Sequence, residues 1–187
     1  MKSKKMTARE FLIRHIAGGE KYAEITNATT TLDQLRSWYK DEQFDELRTI
    51  IRRSNQLYNG KHKNEKFDEF KKLGKVQFFK WFEKQFKEQN GSCAYCKIEE
   101  SKLNEIFDKK IIFTKRRRGR VLELERKDAK NNLYTKKNCV LSCYLCNNHK
   151  SDMISEKDHL KYFAAQIKGY LEAKYLEAQS KKALKRS

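Results

Sequence analysis

The sequence has no proline and only seven glycines in 187 residues. With so few residues that interrupt regular backbone, and with much lysine, helices are favoured. No apolar run approaches the roughly 18 residues needed to span a bilayer, and the N-terminal MKSKKMTARE lacks the apolar centre of a signal peptide. A soluble, cytoplasmic protein is expected. The length excludes a large multi-domain enzyme and leaves room for one compact domain with extensions or two small ones. Acidic residues are also scarce: 25 Asp and Glu against 43 Lys and Arg give a formal charge of +18, spread along the chain. A polyanion, and nucleic acid first among polyanions, is the natural partner of such a surface. Neither an internal repeat nor a low-complexity linker is present.

What is there divides at about residue 89. Before it, apolar residues recur at helical spacing: Leu32, Leu35 and Trp38 behind an N-cap at Thr31, then Phe44, Leu47, Ile50 and Ile51, then Val76, Phe79, Phe82 and Phe86. These aromatics read as core, and Asn90-Gly91 reads as a helix stop. Beyond it, IIFTKRRRGRVLELE reads as two strand-like runs around a basic turn. NCVLSCYLC reads as a short strand entering a Cys-x-x-Cys pair, and NNHKSDMI as a short helix. Ser155 and Asp158 form a capping box ahead of one long helix, marked by Leu160, Phe163, Ile167, Leu171 and Tyr175, which ends in a basic tail.

Five cysteines are an odd number for a disulfide framework. Cys93, Cys96, Cys143 and Cys146 form two Cys-x-x-Cys pairs, and two such turns complete the tetrahedral shell that zinc prefers. The 46 residues between the pairs exceed what a plain zinc ribbon uses, so the intervening hairpin is an insert whose ends a structural Zn²⁺ pins together. A redox-active pair is the competing reading, disfavoured because no βαβ pattern surrounds either turn. Cys139, left over, reads as a small core side chain.

CAYC, LELERKD and YTKKNCVLSCYLCNNHK, taken together over residues 89–155, resemble the HNH nuclease family. The most specific part is an Asn five residues before a Cys-x-x-Cys, Asn directly after its last Cys, and Lys three further on: here Asn138, Cys143, Cys146, Asn147 and Lys150. The resemblance implies a ββα-metal fold of two strands and a helix around one catalytic divalent ion. It also implies Glu125 and Asn147 as ligands of Mg²⁺ or Mn²⁺, with Asn138 tying the loop after the first strand. The family's first strand normally ends in Asp-His, and this chain has Glu125-Arg126 there. Glutamate keeps a hard oxygen ligand. A guanidinium stays protonated and cannot act as an ordinary general base, so Arg126 is suited to holding the phosphate and orienting water. Metal-bound water, Tyr134 or an upstream side chain such as His62 is left to take the proton.

Other residues follow from position. Lys150 lies about 60° around the helix from Asn147 and can clamp phosphate, whereas His149 lies about 200° away and makes a poor base. Glu123 shares a strand face with Glu125 as a further ligand or a support for one, and Asp128 falls beyond the strand. Arg116, Arg117, Arg118 and Arg120 at the basic turn are placed for phosphate or minor-groove contact.

The expected fold class is α+β, a mainly helical chain with a small zinc-pinned ββα-metal nuclease core. Residues 1–88 form a helical region with a possible DNA-recognition role, 89–155 the core, and 156–187 a C-terminal helix and tail. The expected function is metal-dependent hydrolysis of double-stranded DNA by a restriction or defence enzyme, acting as a possible homodimer. Two other classes compete. One is a catalytically silent zinc-containing DNA-binding module. The other is an RNA-binding or RNA-cleaving protein whose aromatics stack on bases.

Overall fold

The computed structural model describes residues 5–114 and 118–183, and it is α+β: mainly helical, with one two-stranded antiparallel sheet. The chain forms two compact units, one up to Glu83 and one from Lys84. Among the described residues no helix is long and apolar enough to cross a membrane.

The first unit contains α1 (Ala8–Leu12), a π turn (Ile13–Ala17), α2 (Tyr22–Ile25), α3 (Leu32–Lys40), α4 (Asp45–Lys61) and most of α5 (Asp68–Glu88). Short polar caps start these helices. Thr7 and Glu10 form a capping box on α1, and the Thr31 hydroxyl accepts the Gln34 N–H at 3.2 Å on α3. Phe11, Leu12, Ile25, Leu35, Ile51 and Phe79 make a sealed core. A second cluster stacks Tyr58, Phe67, Phe70, Phe78 and Trp81, with Phe70 and Phe78 edge to face at 4.9 Å. The aromatics at helical spacing are therefore core, as the sequence suggests. Gly74, at φ +74°, breaks α5 so that its two halves can turn different faces inward.

The second unit contains α6 (Glu100–Asp108), β1 (Glu123–Arg126), β2 (Cys139–Ser142), α7 (Tyr144–Lys150), α8 (Glu156–Tyr162) and α9 (Ala164–Ala183). Glu123 pairs with Ser142, Leu124 with Leu141, Glu125 with Val140 and Arg126 with Cys139. Residues 156–183 are grouped with this unit. Ala164, Leu171 and Ala178, one heptad apart, are buried along α9, and Lys102 on α6 pairs with Glu172 at 3.0 Å.

Three expectations need correction. Ile111–Thr114 is not a strand: Lys110 enters the left-handed region at φ +54° and Ile111 N–H returns to the Ile106 carbonyl at 3.0 Å, so this stretch closes α6. β1 pairs with β2 instead, 13 residues downstream. The helix α6, carrying Leu103, Ile106 and Phe107 inward, is not anticipated above. The long C-terminal helix is interrupted at Phe163 (φ −126°), which leaves Leu160 exposed and turns His159 inward.

Gly119 sits at φ +109°, and a Cβ there would lie 2.2 Å from Cζ of the nearly buried Phe107. Gly119→Ala is expected to destabilise the second unit by about 2–4 kcal/mol through backbone strain and overpacking. Gly169→Ala, inside α9 with open space around it, should stabilise by about 0.5–1 kcal/mol. Urea unfolding of both variants checks the contrast.

Candidate metal centre and the adjoining polar site

Two tight turns bring the four cysteines together. In the first, Cys93 N–H bonds the Ile98 carbonyl at 2.9 Å and Lys97 N–H the Cys93 carbonyl at 3.1 Å, with Lys97 at φ +60°. In the second, Cys143 is the N-cap of α7, and its sulfur accepts the Cys146 N–H at 3.4 Å. The two turns meet where Cys143 N–H donates to the Cys93 sulfur at 3.2 Å. All four thiols are buried, none is in a disulfide, and their sulfurs lie within 4.8 Å of one another. Cys96 and Cys143 sulfurs are 3.7 Å apart, matching the edge of about 3.8 Å for a tetrahedron with metal–sulfur bonds of about 2.3 Å. The cluster can hold a metal ion such as zinc. Burial raises the Cys93 thiol, but hydrogen bonds from Cys143, Cys146 and Cys96 outweigh it and bring it well below the ordinary range; Cys146 is pushed up, chiefly by its hydrogen bond with Cys143. Only a cation among them lets all four be thiolates at once. Cys139 is buried in β2, outside the cluster.

The second turn leads straight into a polar site. β1 runs antiparallel to β2, and α7 follows β2 directly through Cys143, which makes a strand–strand–helix unit. Strand alternation sends Glu123 and Glu125 to one face of β1, and helical spacing puts Asn147 and Lys150 on one face of α7. The Asn147 amide donates to Glu123 Oε2 at 2.9 Å, and Lys150 Nζ donates to Glu125 Oε1 at 3.0 Å. Glu125 thus faces Lys150, while Asn147 faces Glu123, the carboxylate weighed above as an alternative ligand. Lys150 is fully buried and Glu125 is 7% exposed. Burial pushes the Glu125 carboxyl above its ordinary range, and the Lys150 ammonium opposes that shift.

Arg126 lies on the other face of β1. Its guanidinium stands 5.1 Å over the Tyr134 ring and reaches the Asn132 carbonyl at 3.4 Å, while its Nε is buried without a partner. The side chain of Asn138 ties the loop after β1: Oδ1 accepts Asp128 N–H at 2.9 Å, and Nδ2 donates to the Asp128 and Leu133 carbonyls at 3.0 and 2.9 Å. Asp128 is exposed, and its carboxylate caps Lys130 N–H. His149 packs on Phe163, with ring centroids 4.5 Å apart. His62 belongs to the first unit, stacked near Tyr58 at 5.4 Å.

Of the basic turn, Arg116 and Arg117 lie outside the described residues. Arg118 forms a fork with Glu123 and covers the Tyr144 ring at 5.0 Å, so it closes the Glu123–Asn147 contact from outside. Arg120 pairs with Asp108 at 2.7 Å, both about half exposed.

Sequence reasoning missed Tyr95 and His159. His159 is fully buried, edge to face with Tyr95 at 5.1 Å; neither its ring nitrogens nor the Tyr95 hydroxyl has a hydrogen-bond partner. Burial, then the neighbouring His149, lowers the His159 pKa. The only signal was a histidine beside the apolar stripe of an amphipathic helix, which carries no chemistry by itself.

No protein-family model, curated protein or solved structure matches the chain.

Three outcomes follow. Removing the metal with a strong chelator is expected to unfold the second unit and leave the first unit's helical signal, as read by circular dichroism and metal analysis. Glu125→Ala strands the buried Lys150 ammonium and should cost about 3–5 kcal/mol, whereas Glu125→Leu combined with Lys150→Met should cost far less, as read by denaturation. The raised Glu125 pKa fixes the pH sign. Between its ordinary and raised values the fold holds a proton the unfolded chain has released, so stability falls as pH rises through that window.

Proposed function

We propose that the chain is a metal-dependent endonuclease of HNH type acting on double-stranded DNA, with structural zinc on Cys93, Cys96, Cys143 and Cys146. The observation that carries this reading is the strand–strand–helix unit itself. Carboxylates on β1 face Asn147 and Lys150 on α7, in the segment where the sequence resembles that family. The net charge of +18 supports a polyanionic substrate.

Glu125, Asn147 and Glu123 are the oxygen donors that would hold a Mg²⁺ or Mn²⁺ ion, which supplies charge neutralisation at the phosphate and lowers the pKa of a bound water. For Glu125 to serve, Lys150 must swing from carboxylate to phosphate, exchanging one anion for another without leaving its charge unpaired. Arg126, held 5.1 Å over the Tyr134 ring, presents its guanidinium as a phosphate fork. It does not take the water's proton. Asn138 fixes the loop that aims it. Cutting both strands of a duplex suits a homodimer, and a restriction or defence role in the cytoplasm fits a small cutter with an additional helical unit.

One observation favours the second reading, a zinc-containing DNA-binding module without catalysis: Lys150 already neutralises the carboxylate that a metal would need. Supercoiled plasmid incubated with Mg²⁺, Mn²⁺ or EDTA decides between them. Discrete cleavage that needs the divalent ion, is lost in Glu125→Gln and falls at least 100-fold in Arg126→Ala is the expected result. Tight duplex binding with no cleavage in either metal establishes the silent module.

A further inference from the structure

The first unit carries a donor cluster of its own, built on the π turn Ile13–Ala17. Such turns are rare and frequent at functional sites. The turn swings His15 so that its Nδ1 meets the Glu20 carbonyl at 2.7 Å. A carbonyl only accepts, so Nδ1 carries the proton and Nε2 is the ring's remaining nitrogen. The imidazole stacks on Phe11 at 5.5 Å, lies tilted 4.5 Å from the Tyr22 ring and edge-on to Tyr39 at 5.3 Å, and the two tyrosine rings are themselves 6.3 Å apart.

Around these rings the polar atoms are donors. Arg52 Nη2 donates to the Tyr39 hydroxyl at 3.0 Å, which leaves the hydroxyl's own proton to point elsewhere. Arg36 lies three residues before Tyr39 on α3, on the same side of that helix, and its guanidinium opposes the rise in the Tyr22 hydroxyl pKa that burial and Tyr39 cause. Arg36 and Arg52 are exposed. Arg36 makes a 3.5 Å contact with the exposed Asp33, worth less than about 1 kcal/mol and readily exchanged. Several carboxylates lie close in sequence and are already engaged: Glu20 by Arg14, Asp45 by Arg48, Glu24 by the Lys21 N–H and Asp41 by the Gln43 amide. Two guanidinia and two phenols, with an imidazole beside them, match the requirements of a phosphate: charge and forked donors.

We propose that Arg36, Arg52, Tyr22 and Tyr39, backed by His15, form a phosphate-binding face that takes a backbone phosphate of duplex DNA. The choice of DNA rests on the reading above; the shared chemistry is a phosphate, and a free mononucleotide is the other source. On this account the first unit positions the chain on the backbone and reads no bases there.

The test measures duplex affinity against salt for the whole protein, for Arg36→Gln/Arg52→Gln and for Tyr22→Phe/Tyr39→Phe, with melting curves to show that each variant folds. The expected result is binding weakened about tenfold in the arginine variant, with the slope of log affinity on log salt reduced by about 1 for each phosphate lost. The tyrosine variant, which keeps its rings, should show a smaller loss. Unchanged affinity and slope in both variants overturn the proposal, as does a mononucleotide at millimolar concentration that binds wild type through these residues while duplex binding ignores them. Cleavage separates this inference from the nuclease reading. Wild type that binds through this face and cuts nothing keeps the face and removes the nuclease, while wild type that cuts alongside unaltered variants does the reverse.

Discussion

The second unit depends on four sulfurs meeting within a space that fits one ion. Their convergence joins the turn after α5 to the start of α7, segments that share little other covalent or hydrophobic reason to be adjacent. The β-ladder between them is only four residues long on each side. A two-stranded sheet of that length is marginal by itself. Pinned at one end by the cysteine cluster and bridged to α7, it becomes a fixed support. An ion held there would act geometrically, placing β1 and α7 at the separation that lets side chains bridge them.

One of those bridges is unusual in being ionic and buried. Lys150 has no exposure to water, and its charge is tolerated only because Glu125 meets it at 3.0 Å. Such pairs add little net stability over apolar packing but penalise any arrangement that separates them. Here they set the register between strand and helix, since slipping β1 by one residue would send both glutamates to the wrong face. In the proposed enzyme the same pairing would let Glu125 exchange an ammonium for a different cation. A carboxylate kept in a low-dielectric site by one exchangeable partner is poised in a way that a solvated surface carboxylate is not.

Much of this was legible in the sequence, for physical reasons. The cysteine spacing names its own geometry, because a Cys-x-x-Cys turn has few ways to direct two sulfurs. The Thr31 cap, the Asn90-Gly91 stop and the aromatic stripes act within one or two turns of helix, where local rules suffice. What escaped was non-local. Whether Ile111–Thr114 extends or closes a helix depends on Ile106 offering its carbonyl. Which carboxylate faces Asn147 depends on the offset between a strand and a helix more than 20 residues apart, and periodicity assigns faces without assigning partners. His159 was invisible because an inward histidine and an outward one have the same sequence signature. The break at Phe163 reversed the expected outcome for Leu160.

The division at Glu83 has a consequence for how the molecule is made. The first unit holds its own sealed aromatic core and can consolidate while the ribosome is still adding the remainder. The strand–helix centre cannot form until Cys146 has left the exit tunnel, because its last two sulfurs and both α7 side chains come late in the chain. The cell therefore meets a folded, cationic helical body first and the cutting machinery of the proposed enzyme only at the end of synthesis.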